Sequence, residues 1–434
     1  MKKAGSCALA AAMGTYGFTR AHAGSPQKTL KILQWHHFVP GYDEWFNNTY
    51  VQEWGAKNDT KVIVDNVGMT SLKSRAEAEI AAQKGHDLCM FLWPPSAYED
   101  QVIDHSDVYN VCEQKYGKAI DLGLKSTYNP KTKRFYGIAD SYVPDPVNYR
   151  KDLWDDVGMF PDTWEDIRIG GRKIKDKHGM PLGIGLAPEL DSNMALRSIM
   201  ATFGASEQDS DANPILKSRQ TLEAIKFVKA LYNETLTDEV FTWDASSNNR
   251  QMLAGRGSLT LNAISITRTG ENQKIPVAQD IWLAKAPRGP VHRIGMGHLM
   301  SVYSIWKFAD NIEGAKQFLV DYIGNFRQGF LSSQFYNFPC FPSTVPDLEQ
   351  LVGNDPIATP PDKYKVLLDV NECTKNLGYP GYANAAIDEI FSSWVISNMF
   401  AMAASGKMTP EDSLTVADNE VQTIFKKWKD RGLV

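Results

Sequence analysis

The chain has 434 residues, 43% hydrophobic and 22% charged, which is the balance of a folded globular protein with room for two or three domains and excludes a disordered one. No run of 18 or more apolar residues occurs, so no membrane-spanning helix is expected. A formal net charge of −5 argues against nucleic acid, whose phosphates reward a basic face.

Residues 1–23 read as an export signal. Lys2 and Lys3 give a positive start, Cys7 to Met13 is a short Ala-rich apolar stretch, and Ala21-His22-Ala23 is an A-x-A cleavage site. The expected location is the periplasm. A lipid anchor at Cys7 is set aside, because the six residues before it leave no room for an apolar segment. Removing this leader takes Lys2, Lys3 and Arg20 and deepens the acidic balance.

The mature chain opens on Lys28 to Phe46, KTLKILQWHHFVPGYDEWF. Leu30 and Ile32 alternate with Lys31 and Leu33 as in a strand, which then delivers Trp35, His36, His37 and Phe38 to a loop before Pro40-Gly41 turns into a helix. Aromatic and imidazole side chains at a strand-to-helix loop mark the ligand edge of an α/β sheet, although the same aromatics can also fill core. Residues 42–58 are expected to be helical, 60–67 a strand, and 72–83 a helix. Leu88 to Trp93, a continuous apolar run ended by Pro94-Pro95, suits a strand covered on both faces. Another helix begins at Ser96, with Tyr98 and Glu99 in its first turn. This β-α-β-α-β-α order is that of an α/β sheet.

The alternation continues. Residues 135–148 contain extended segments, with Tyr142 and Asp145 between them and Pro146 to Tyr149 following. Asp162 and Thr163 can cap a helix. Residues 219–234 form an amphipathic helix in which Leu222, Ile225, Val228 and Leu231 share a face. Trp243, Asp244, Asn248 and Asn249 precede a short helix, and 258–262, ending at Asn262, is a strand. His298 follows the Gly295/Gly297 turn. Residues 311–326 are helical, and the Pro-rich passage 339–346 breaks the pattern. The C-terminus is read as one helix over 385–404 and another behind Thr409, with Pro410 at its first position.

Familiar enzyme motifs are missing. There is no G-x-S-x-G elbow, no G-x-x-x-x-G-K-[ST] loop and no H-E-x-x-H, and each G-x-G lacks the third glycine. His36 and His37 are adjacent, so on an extended chain they face opposite ways and cannot chelate one ion together. No metal or cofactor is expected. Cys89, Cys112, Cys340 and Cys373 survive maturation; an even count in an exported chain permits two disulfides in three connectivities.

Several stretches, in order along the chain, resemble the extracellular solute-binding proteins of family 1, which serve ABC importers of sugars. Phe135-Tyr136-Gly137-Ile138-Ala139 with Asn148-Tyr149-Arg150-Lys151-Asp152-Leu153-Trp154 is similar to "Y-G-I-P … Y-Y-N-K-D-L-F". Pro161-Asp162-Thr163-Trp164-Glu165-Asp166 is similar to "P-x-T-W-E-E". Residues 251–262 resemble "A-F-x-x-G-K-x-A-M-x-x-x-G", 311–319 resemble "E-A-A-x-x-F-L", and 404–411 resemble "x-x-G-x-x-T-P-E-E-A-L". Arg150 stands where the family has Asn, and Asn262 where Gly is common.

The resemblance implies an α/β, two-lobe periplasmic-binding-protein fold of type II, hinge-connected, with a helical C-terminus. Residues 26–125 plus 296–332 would form lobe 1, and 126–295 plus 333–434 lobe 2. On that map Cys89 would pair with Cys112 and Cys340 with Cys373, since bridges within a lobe leave the hinge free. The interlobe cleft would be lined by Trp35, one of His36 and His37, Trp93, Glu99, Tyr142 and Asp145, with Trp243, Asn262, His298 and Tyr382 completing it. Aromatic rings suit the C–H faces of a sugar, and buried polar groups its hydroxyls. The implied function is capture of a carbohydrate or polyol by a monomer that hands it to a membrane permease, without chemistry. Two other readings stay open: a secreted carbohydrate-active enzyme, and a receptor for a non-sugar solute such as a polyamine or aromatic acid.

Overall fold

The computed structural model describes residues 28–434, so the export signal lies outside the described residues. Thirteen strands are present among them: β1 Lys28–Trp35, β2 Thr60–Val67, β3 Leu88–Phe91, β4 Tyr128–Asn129, β5 Arg134–Phe135, β6 Ile138–Val143, β7 Val147–Arg150, β8 Leu259–Leu261, β9 Ile281–Ala284, β10 Gly295–Met296, β11 Leu299–Ile305, β12 Phe338–Pro339 and β13 Thr374–Lys375. A six-stranded sheet runs in the order β12-β6-β11-β3-β1-β2, and a three-stranded sheet in the order β8-β7-β9. The pairs β10–β13 and β4–β5 stand apart as short ladders.

The opening β-α-β-α-β reading holds. β1 pairs in parallel with β2 over eight residues and with β3 on its other side. Helices supply the crossovers that parallel strands need: Pro40–Trp45, a π-helical turn Phe46–Tyr50 and Val51–Lys57 form one run, and Leu72–Ala82 the next. Every residue of β3 is buried, as its unbroken apolar run requires. β11 then enters antiparallel between β3 and β6.

One segment carries the chain directly between the two main sheets, and two others enter the six-stranded sheet on either side of β6. β6 leaves the six-stranded sheet and, across Pro144-Asp145-Pro146, becomes β7 of the three-stranded one. Gly297 and His298 separate β10 from β11: the Gly297 N–H donates to Lys375 O and the His298 N–H to Val143 O. Tyr336 and Asn337 lead into β12.

Capping signals act where the sequence places them. Thr163 closes a capping box with Asp166 ahead of Trp164–His178, Ser218 caps Arg219–Thr235, and Thr409 caps Pro410–Asp430. Two glycines interrupt the first of these helices at a cost of roughly 1 kcal/mol each relative to Ala. Packing explains Gly170, where a Cβ would lie 2.4 Å from the ring of the fully buried Trp154.

Two expectations are corrected. Residues 385–404 form two helices, Ala385–Ser392 and Val395–Ala404, because Trp394 adopts a left-handed φ of 63° between them. The four cysteines are free thiols in place of the expected Cys89–Cys112 and Cys340–Cys373 bridges. Each thiol is engaged locally: Cys89 Sγ lies 4.0 Å from Glu79, Cys340 Sγ packs on Gly123, and Cys373 Sγ bonds carbonyls of its own helix. Burial pushes the Cys112 thiol up to about 12.

Candidate functional site

The β6–β7 link and the residues that lead into β11 and β12, on either side of β6, contribute to a buried polar cluster. Asp145 stands between two prolines, which hold it extended and take both neighbouring N–H groups out of hydrogen bonding. Its side chain is 1% exposed, and neither carboxylate oxygen accepts a hydrogen bond. His298 lies 3.4 Å away through Nδ1. Its other nitrogen, Nε2, is 3.4 Å from Asp191 Oδ1, so one ring spans two carboxylates. Tyr336, before β12, is fully buried with an unpartnered hydroxyl and feels the charge of both aspartates.

Asp191 comes from the helix Leu190–Thr202, all of whose residues are buried. Glu189 caps that helix, accepting from the N–H groups of Asp191 (2.7 Å) and Ser192 (2.6 Å) and from the Ser192 hydroxyl. Asp191 Oδ2 accepts from Asn248 Nδ2 at 2.8 Å and Asn262 Nδ2 at 2.9 Å. Asn262 Nδ2 also approaches the side-chain oxygens of Asn248 and Asn249, so three amides form a ladder beside the carboxylate.

Electrostatics within the cluster are coupled. Burial opposes a charge on His298, but Asp191, Asp145 and Glu189 together outweigh it and raise the imidazole to about 9. Burial likewise raises Asp145 and Asp191, with His298 pulling against it in each case. The cluster thus favours a cationic imidazole flanked by aspartates that burial pushes toward their protonated forms, Asp191 to about 7. Nothing here resembles a nucleophile paired with a base. Among the described residues no group of three His, Cys, Asp or Glu side chains is placed to hold a metal ion.

Of the residues expected from the sequence, the structure gathers Asp145, Asn262 and His298 in this cluster. Trp93 stands on its flank: with Met194, His298, Met300 and Phe391 it lines a void of about 10 Å³. Its Nε1 donates to Asp388 at 3.1 Å, and its ring centroid lies 5.3 Å from that of Phe391. The rest lie elsewhere. Trp35 packs against His37 and Phe38, and Tyr142 against Phe338. His36 points to solvent, 66% exposed, while His37 is buried and bonded to Val39 and Asn337. Glu99 is held inside by Asn129 and Thr132. Trp243 and Tyr382 are half-buried against the core.

Glu189, Asp191 and Tyr336 escape the sequence reading. One signal was available for the first two: the polar cluster Glu189, Asp191, Ser192 and Asn193 opens a segment that is otherwise apolar. Tyr336 carries no local signal.

The architecture is the two-lobe α/β fold of periplasmic binding proteins, with a helical C-terminus. It is similar to an ABC transporter solute-binding protein of Thermotoga lettingae bound to α-D-tagatose, at TM-score 0.76 and 16% identity over 92% of this chain and 100% of that one. Maltose-bound MalE3 of T. maritima gives 0.75 and 18% over 91% and 99%. A solute-binding protein of Agrobacterium radiobacter K84 in complex with ribitol gives 0.73 and 16% over 92% and 100%. No curated protein matches the chain in sequence. The model of the bacterial extracellular solute-binding protein family matches residues 43–324, well over half of the sequence, and the chain belongs to that family.

Proposed function

We propose that the protein is an extracytoplasmic receptor of an ABC importer. It captures a small polyhydroxylated solute, a carbohydrate or polyol, where its two lobes meet and delivers it to the membrane permease. It is not an enzyme. The observation that carries this reading is the buried polar cluster at the link between the two main sheets, with the Asp145 carboxylate and the Tyr336 hydroxyl unpartnered. Support also comes from relatives of the same fold whose bound solutes are tagatose, maltose and ribitol. Export is supported by the family, and no helix among the described residues is long and apolar enough to cross a membrane.

Sheet membership supports lobe borders different from 125/126 and 332/333. β6 and β12 both belong to the six-stranded sheet, so lobe 1 runs to Pro144 and again from His298 through Pro339. The ligand acts by binding the closed arrangement better than the open one, which shifts the population between them.

A thermal-shift panel of sugars, polyols, polyamines and aromatic acids tests the reading. A solute at about 100 times its Kd stabilises the folded chain by about 2.7 kcal/mol. Stabilisation by a polyamine or aromatic acid, with none from any sugar or polyol, overturns the carbohydrate assignment. Release of a modified sugar detected by chromatography overturns the non-catalytic one.

A further inference from the structure

We propose that the solute carries one positive charge, an ammonium on a polyhydroxylated skeleton as in an amino sugar or aminated polyol, which Asp145 and Asp191 hold beside His298. The inference rests on the receptor reading above and narrows its ligand class.

The charges of the cluster decide the sign. Glu189 is compensated where it stands: its carboxylate accepts two backbone N–H groups and a hydroxyl at the start of a thirteen-residue helix, where the helix dipole also favours a negative charge. Asp191 and Asp145 share a single cation, the His298 imidazolium, at 3.4 Å from each. Lys375 borders the void beside His298 but makes no ion pair with either aspartate. The buried Arg197, further along the same helix, is committed to Glu207 and Asn193. With both carboxylates ionised one is in excess; burial raises Asp191 to about 7, so a proton relieves that excess in the free site and an arriving cation takes the proton's place.

The place of that partner follows from the hydrogen bonds. Asp191 already accepts two amide donors on Oδ2, whereas neither oxygen of Asp145 accepts any. The buried, unpartnered Tyr336 hydroxyl lies in the field of the same two carboxylates. An ammonium offers three N–H donors for the unpartnered oxygens of Asp145, and its charge acts on Asp191 across the His298 ring. A bare metal ion is a poorer fit, because no three carboxylate or imidazole groups are placed to ligate one. An anion would meet carboxylates on two sides. A neutral sugar would satisfy lone pairs and leave the excess charge in place.

Calorimetry on the folded chain with matched triplets provides the test: D-glucose, D-glucosamine and N-acetyl-D-glucosamine; their galactose counterparts; and D-glucitol with 1-amino-1-deoxy-D-glucitol. The amine should bind at least about tenfold tighter than its neutral twins at pH 7, the scale of a close buried charge pair. Asp145→Asn should erase that ratio. His298→Gln should enlarge it, because the competing cation is gone; this opposite sign separates charge from a general loss of shape. If Asp145→Asn fails to fold, the wild-type ratio and His298→Gln still decide. A neutral twin that binds as tightly as its amine overturns the inference and leaves the receptor reading standing. Failure of every triplet to bind, while another solute class stabilises the chain, overturns both.

Discussion

His37 and His298 are both buried imidazoles, yet their neighbours drive them to opposite charge states. The His37 ring sits 5.1 Å from the Tyr336 ring and bonds only neutral partners, the backbone of Val39 and the amide of Asn337. Burial lowers it to about 4, and those partners restore only part of the loss. His298 faces carboxylates and is raised to about 9. Burial alone does not tell a structural histidine from a functional one; the charge of its neighbours does. Around His37 the polar atoms are satisfied and the aromatic rings of Trp35, Tyr42 and Tyr336 enclose it. Around His298 they are not, and that is the difference expected between a lobe interior and a site awaiting a partner.

Removing each ring should separate the two most strongly. His298→Ala leaves two buried aspartates without a cation, and breaking a buried pair in this way costs about 3 kcal/mol. His37→Ala costs about 2 kcal/mol, from lost packing and two broken hydrogen bonds. Urea unfolding at pH 7 measures both. The loss for His298→Ala should shrink as pH rises from 6.5 through about 9, where the imidazole gives up its proton, while the loss for His37→Ala should hold there and shrink only as pH falls from 6.5 toward 4. Equal pH behaviour of the two variants would erase the distinction.

The wild-type protein should show the same contrast. A histidine with a raised folded pKa contributes stability that is fully present below its unfolded value, near 6.5, and is lost as pH rises through about 9. The urea midpoint should therefore fall between those limits, and His298→Gln should flatten that slope. Asp140 and Asp388, raised by burial to about 6, act in a lower window. Their contribution is present below about 4 and lost as pH rises through 6, the window in which the buried His37 contributes with the opposite sign, so the fall between 6.5 and 9 is the one that reports His298.

A smaller effect probes the flank of the site. Trp93→Phe keeps the ring that packs on Phe391 but removes the donor to Asp388, which retains only the Ala97 N–H. A loss of about 1 kcal/mol in unfolding free energy is expected.

How much of this was legible beforehand depended on whether a signal is local. The strand at 60–67, the all-buried run at 88–91 and the caps at Thr163 and Thr409 are written in periodicity and side-chain chemistry, and the structure repeats them. The helix Leu190–Thr202 was unreadable by the same rule, because its polar residues, Asp191 to Asn193, Arg197, Ser198 and Thr202, are buried with the rest and mark no solvent face. The break at Trp394 lacks the glycine or proline that would announce it. In the site, Asp145 and His298 could be found through the family resemblance, which puts one on a sugar-contacting loop and the other near a late hinge. Asp191 and Tyr336 join them only through tertiary folding, and Glu99, equally well placed after a strand end, is turned inward to Asn129 and Thr132 instead.

The smallest expected effect settles what adjacency on a strand end means. His36 and His37 follow Trp35, and the extended chain sends their side chains to opposite sides. His36 is left 66% exposed, with a carboxylate 3.7 Å away at Asp43. An exposed pair of this kind contributes roughly 0–1 kcal/mol, and its loss is screened by salt. His36→Ala should therefore change unfolding free energy by less than about 0.5 kcal/mol and leave solute affinity unaltered. A tenfold loss of affinity in that variant would mean that the open form turns His36 toward the solute, and the division between a packing histidine and a site histidine would then have to be redrawn along the first strand.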